Sequence, residues 1–281
     1  MPTDHSSTDN SSTGLRLTRR RALAVGGATL AAVGLGAPAV LGQGREQTVT
    51  FTARITNVSD GMTLMTTAED DAAEQAVPLS PGVWALHTRD EPLFTEGEME
   101  RDNGLEEIAE DGMPGKLAAM LADRDTVVAS GAFTTPVGAD GPAPLTPGDS
   151  YEFSFEATSG KPTLYLSLVT MFVPSNDLFY SLGGAAGVPV FGHPGMGEEN
   201  GNGENGNAMR PLTGDVTEYV GLWDAGTEVN QEPGVGDNQV QRQRGAGVGD
   251  VERGTVARIE DVNGYDYPAT SDVIRVELMA E

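Results

Sequence analysis

Between Gln47 and Val58 apolar and polar side chains alternate, with Val49, Phe51, Ala53 and Ile55 at every second position. Period two predicts a strand with one buried face. Further apolar runs at Val83–His87, Val127–Phe133, Ser150–Ala157, Leu164–Val173, Tyr219–Trp223, Thr255–Ile259 and Val273–Met279 predict seven more strands. Clusters such as Thr135-Pro136-Val137-Gly138 and Leu145-Thr146-Pro147-Gly148-Asp149 punctuate them as turns. Helical spacing occurs in one region only: Leu105, Ile108 and Ala109, then Leu117 to Leu121, separated by Gly112 and Pro114. Many short strands with turn signals between them argue for a sandwich rather than a parallel α/β sheet. The expected fold is all-β: an antiparallel β-sandwich with one or two short helices, which cap one end of it, and long Gly/Asn-rich loops. Residues 43–281 form this one domain.

Two stretches lack any period. Gly195 to Asn207 repeats Gly, Asn and Glu and cannot bury enough apolar surface to offset ordering, which predicts a disordered insertion at about 195–209. Asn230 to Gly254 is the second. Its Gly245-Ala246-Gly247-Val248-Gly249 run has no following Lys-Ser/Thr and no flanking strand or helix, so it is not a phosphate loop.

Residues 1–42 read differently. Thr18-Arg19-Arg20-Arg21 precedes a run of Ala, Gly, Val and Leu from Ala24 to Leu41, with small residues at Ala37-Pro38-Ala39. A basic segment, a modest apolar core and small residues describe an export signal, and the adjacent arginines point to the twin-arginine route. The alternative is an uncleaved membrane anchor, since the stretch is about long enough to span.

Charge sharpens the setting. The formal net charge is −25, and without residues 1–42 it becomes −27, with Lys only at positions 116 and 161. Such a chain repels nucleic acid and anionic membrane surfaces. Abundant carboxylates with almost no Lys suit concentrated brine, where salt screens their repulsion; an exported protein of a halophilic archaeon is the expectation. There is no Cys, hence no thiol chemistry, and no Gly-x-Ser-x-Gly elbow. Of three histidines, His5 lies in the leader, His193 beside the insertion and His87 at a strand end, none with partners at zinc or triad spacing.

Two acidic segments stand out from this background. Ser175-Asn176-Asp177-Leu178-Phe179-Tyr180 and Asp224-Ala225-Gly226-Thr227-Glu228 each close an apolar run. Carboxylates delivered together at sheet ends suit a hard cation such as calcium, which takes six to eight oxygens. With Phe51-Thr52-Ala53-Arg54-Ile55-Thr56-Asn57 and Leu79-Ser80-Pro81-Gly82-Val83-Trp84-Ala85, these segments resemble the spondin N-terminal domain over roughly Thr48 to Glu281. The resemblance implies a secreted, C2-like β-sandwich that binds Ca2+ through Asp177, Asp224 and Glu228. Here Leu178 stands where the animal pattern has Trp, Glu228 where it has Asp, and the cysteines are missing.

The functional expectation is a non-enzymatic, calcium-binding protein, secreted or extracellular and associated with the cell surface, acting in adhesion or recognition of an extracellular or cell-envelope protein or glycan. The rivals are a secreted glycosidase or other hydrolase using paired carboxylates, and a carbohydrate-binding module with Trp84 and Trp223 as its platform. Trp223 is expected to anchor the loop that aims Asp224. Asn57-Val58-Ser59 is an acceptor sequon on an exported chain, or simply a strand-end Asn.

Overall fold

In the computed structural model, residues 46–69, 73–89, 91–192, 209–262 and 264–281 are described. The leader, His5, His193 and the insertion apart from Met209 lie outside them. Eight principal strands form the sandwich: β1 (Thr48–Asn57), β2 (Leu79–His87), β3 (Val127–Phe133), β4 (Ser150–Thr158), β5 (Tyr165–Phe172), β6 (Leu178–Leu182), β7 (Val220–Asp224) and β8 (Ile274–Ala280).

The smaller sheet has the order Gly214–Asp215, β8, β1, β4, all antiparallel. Its register puts like with like. Phe51, Ala53 and Ile55 face Phe155, Phe153 and Tyr151 on one side and Ala280, Leu278 and Val276 on the other. The intervening positions pair Thr52 with Ser154 and Arg54 with Glu152, where an exposed ion pair forms. One apolar face and one polar face is what a sheet solvated on one side requires.

The larger sheet runs Ala257–Arg258, β7, β6, β5, β2, β3, with Val188–Pro189 added beside β5. Leu86, Leu166, Leu168, Phe172, Tyr180, Leu182 and Leu222 pack against the smaller sheet, forming the main core. Val83, Ala85, Val169, Phe179 and Trp223 point the other way, into a second apolar cluster. That cluster is closed by α1 (Leu105–Asp111) and α2 (Gly115–Ala122), which supply Leu105, Ile108, Ala109, Leu117 and Leu121. The helices therefore form a third layer over the outer face of the larger sheet, against the expectation of an end cap. A sheet buried on both faces needs continuously apolar strands, which is why β5 reads without alternation.

Other expectations shift at the edges. β2 begins at Leu79, and Thr255–Ile259 reduces to a two-residue pairing, Ala257–Arg258. Strand β6 was not anticipated. Its five residues follow three loop-like ones, so Leu178-Phe179-Tyr180 reads as part of the acidic segment, whereas it opens the next strand.

Candidate cation site

The site follows from the β5–β6 turn and the end of β7. Residues 173–177 turn the chain, and the Ser175 hydroxyl pins that turn by donating to the Phe172 carbonyl (2.6 Å) and accepting from the Leu178 amide (3.1 Å). β7 pairs with β6 so that Asp224 lies opposite Leu178, and the Ala225 amide donates to the Asp177 carbonyl at 3.1 Å. This register places Asp177 beside Asp224.

Both carboxylates are buried, at 0% and 1% exposure. Asp177 Oδ2 accepts three bonds, from the Thr227 amide (2.8 Å), the Thr227 hydroxyl (3.3 Å) and the Glu228 amide (3.0 Å). Its other oxygen, Oδ1, is buried with no hydrogen-bond partner. Burial, and then the Asp224 charge, push Asp177 up to about 7, against the pull of the three donors. Asp224 Oδ1 accepts from the Gly226 amide (2.6 Å) and Oδ2 from the Asn230 side chain. It too is raised, by burial first and by Glu252. The turn after Asp224 needs Gly226: its φ is +69°, and a Cβ there would sit 2.8 Å from the Thr255 nitrogen.

Glu228 is buried as well, yet its carboxylate points elsewhere. Its partner is the Asn176 amide group at 3.4 Å, and burial followed by Asp111, Glu106 and Asp250 raises it. Gly249 packs flat on it; a Cβ at that position would lie 2.1 Å from the carboxylate. The glycine-rich run thus makes room for Glu228. The structure brings Asp177 and Asp224 together and holds Glu228 on the side toward α1. Among the described residues, no three of His, Cys, Asp and Glu are grouped so as to hold a metal ion.

The stretch after Glu228 has no regular structure but is tied down by amide side chains. Asn176 Oδ1 accepts from the Gln231 amide (3.1 Å), Gln231 Oε1 accepts from the Asn238 amide (3.0 Å), and the Gln239 side chain donates to the Glu232 carbonyl (2.7 Å). Glu232 in turn accepts from the Thr67 amide and hydroxyl, both at 2.6 Å, and Arg242 donates to the Gly234 carbonyl at 3.0 Å.

Glu110 completes the surroundings, and sequence reasoning passed over it as one helix acid among many. It is 5% exposed and is pushed up to about 8 by burial first, against a pull from Thr227, and then by the charges of Glu228, Glu106 and Asp177. Its only sequence signal is its place next to the apolar positions Ile108 and Ala109.

Other sequence-level candidates resolve into structure. Trp84 and Trp223 are 8% and 1% exposed; Trp84 stacks on Phe153, and Trp223 lies between Phe94 and the Arg258 guanidinium, 4.8 Å from the ring centre. Neither indole offers a face to a sugar. His87 is paired, Nε2 to the Ser167 hydroxyl at 2.9 Å and Nδ1 to the Thr88 carbonyl at 2.5 Å, but both His87 and Ser167 are wholly buried and out of reach of a substrate. The Asn57 side chain is buried: its amide group donates to the carbonyls of Val77 (2.9 Å) and Leu145 (3.0 Å), and its oxygen accepts from the Ser59 amide (3.0 Å) and hydroxyl (2.7 Å). The sequon is a core clasp, closed to a glycan in the folded protein. A surface cleft lined by Asp215, Thr217, Glu218, Val220, Thr270 and Ser271 contains none of the three candidate acids. No known protein-family profile matches the chain, and no curated protein matches it.

Proposed function

We propose that the chain is an exported, non-enzymatic β-sandwich of the spondin type, whose acidic loops are ordered by calcium for recognition of an extracellular or cell-envelope protein or glycan. The observation that carries this reading is Asp177: a fully buried carboxylate with one oxygen unused, set beside a second buried carboxylate. Two ionised carboxylates in such a place repel each other and have lost their water, a cost relieved by a proton or by a cation.

The donor set fits calcium in kind, since carboxylates and side-chain amides are hard oxygen ligands. Asp177 and Asp224 would hold the ion, with Glu228 joining from the loop that Gly249 and Asn176 now keep in place. Bound calcium supplies positive charge that neutralises these acids. The chain's own work is positional: Thr227 and Glu228 amides fix Asp177, Gly226 and Asn230 fix Asp224, and Asn176 links the β5–β6 turn to the loop after Glu228. Both loops then present a fixed surface. Secretion by the twin-arginine route and a saline environment belong to the same reading, resting on residues 18–41 and on the acid excess.

Thermal unfolding in high NaCl, chelated and then titrated with calcium, tests it. At ten times the dissociation constant, linkage adds about 1.4 kcal/mol, or roughly 3–6 °C for a domain of this size. Asp177→Asn/Asp224→Asn should abolish the rise. A hydrolase would instead lose turnover on Asp224→Asn with calcium leaving the melting temperature unmoved.

A further inference from the structure

Four strands bound the two sheets: Gly214–Asp215 and β4 on the smaller, Ala257–Arg258 and β3 on the larger. An outermost strand offers unpaired N–H and C=O groups to any other chain, and proteins protect such edges by keeping the strand short or by charging it. Gly214–Asp215 and Ala257–Arg258 are two residues long and end on Asp215 and Arg258, while β4 carries the exposed Glu152 and Glu156. β3 has neither device. Residues 126–139 hold no charged side chain, although acids make up 42 of the chain's 281 residues. That composition belongs to the central strands β2, β5 and β6, which also lack Asp, Glu, Lys and Arg but are paired on both sides. Beyond a bulge at Val128, residues 129–133 lie in unbroken register with residues 86–82. Every second residue of an antiparallel ladder turns its N–H and C=O away from the partner, and among the described residues no loop backbone bonds to residues 128–133 from the outer side. Ala132, opposite Val83, is exposed on the face that carries the helices. α2 packs beside β3 and is likewise free of acids, with Met120 49% exposed.

We propose that β3 is a dimerisation edge: it pairs antiparallel with β3 of a second copy across a two-fold axis, joining the two larger sheets into one. Charge selects the second copy as occupant. Two chains of net charge −25 repel each other, and a two-fold at β4 would bring Glu152 and Glu156 up against their own counterparts, whereas β3 meets itself with no carboxylate in the strand. Ala129, Ser130, Gly131 and Ala132 are small, so the two backbones reach ladder distance unhindered. In concentrated brine the screening length falls to about 3 Å at 1 M, which removes the repulsion between the remaining surfaces. A two-fold contact closes on itself, so pairing stops at the dimer. The cation reading is not needed for this: β3 contains none of Asp177, Asp224 and Glu228.

Sedimentation equilibrium of the full chain in high NaCl with chelator should give twice the monomer mass. Ala132→Glu places a carboxylate beside the axis in each copy and should raise the dimer dissociation constant about tenfold or more, with the thermal melt of the diluted protein unchanged. The chain has no Cys, so single cysteines locate the axis. Oxidised with copper phenanthroline, Ser130→Cys and Ala132→Cys should each give disulfide-linked dimers, whereas Met279→Cys, exposed on β8, should give none. The same dimer should form in Asp177→Asn, which keeps this test separate from the one for calcium. The proposal is overturned if the parent sediments as a monomer, if Ala132→Glu leaves the dimer as tight as before, or if Met279→Cys cross-links as readily as Ala132→Cys.

Discussion

Raising the pH of the chelated protein should destabilise it, and Asp177 should account for a defined part of the loss. Its carboxyl group is held at about 7 in the folded state, against 3.8 as its ordinary value. A raised acid means that the native state binds more protons than the unfolded chain, so stability falls as pH rises. The contribution is fully present below about pH 4 and is lost progressively up to about pH 7. One pKa unit corresponds to about 1.4 kcal/mol, so Asp177 removes roughly 2 kcal/mol between pH 5 and pH 7. That is roughly 4–8 °C in melting temperature. Glu110, raised from 4.5 to about 8, adds a slope of the same sign over pH 5–8. Repulsion within a chain of net charge −25 also disfavours the compact state, but high salt screens it. Comparing the parent with Asp177→Asn isolates the single group. The assay is a series of thermal melts with chelator in high NaCl at half-unit steps from pH 5 to pH 8, for both proteins. The parent should lose roughly 2 kcal/mol more than Asp177→Asn between pH 5 and 7, and saturating calcium should flatten its curve. Parallel curves for the two proteins would refute the reasoning, because a carboxylate indifferent to pH in this range is not a buried, proton-sharing acid.

Two further outcomes follow from local geometry. Asn57→Ala should cost about 2 kcal/mol in chemical denaturation, since it removes four buried hydrogen bonds while the Leu145 carbonyl keeps the Leu79 amide (3.1 Å) and the Val77 carbonyl keeps the Ser59 hydroxyl (3.2 Å); mass spectrometry of the secreted protein should find Asn57 unglycosylated. Gly249→Ala should displace the Glu228 carboxylate and weaken calcium binding, measured by titration, while a Gly245→Ala control, whose Cβ would meet only Val248 at 4.0 Å, should leave calcium affinity unchanged.

The core strands were legible because each has its own pattern. β1 alternates since one face meets solvent, and Val127–Phe133 was placed to the residue. β6 escaped because a five-residue apolar strand buried on both sides has no period to distinguish it from the loop it leaves. The position of the helices was hidden for a related reason: only the continuous apolarity of β5 and β2 indicates a third layer, and a run such as Leu-Val-Thr-Met-Phe does not say what covers it. In the site, Asp177 and Asp224 stand out in the sequence by their place at the ends of apolar runs and by the resemblance to the spondin domain, but the register that sets Asp224 opposite Leu178 runs through β6, which has no sequence signal of its own. The direction of Glu228 depends on Gly249 and Asn176, contacts between residues far apart in the chain. The burial of Glu110 depends on how α1 packs over the larger sheet, which no spacing within the acidic segments encodes.

Isothermal titration of the chelated full chain with calcium near pH 6, repeated in buffers of different ionisation enthalpy, tests the central claim most directly. The account requires close to one ion per chain, with release of up to about one proton to the buffer as the ion displaces the hydrogen of Asp177, and loss of both signals in Asp177→Asn. Absence of a binding heat in the parent, or equal binding by parent and variant without proton release, would contradict it.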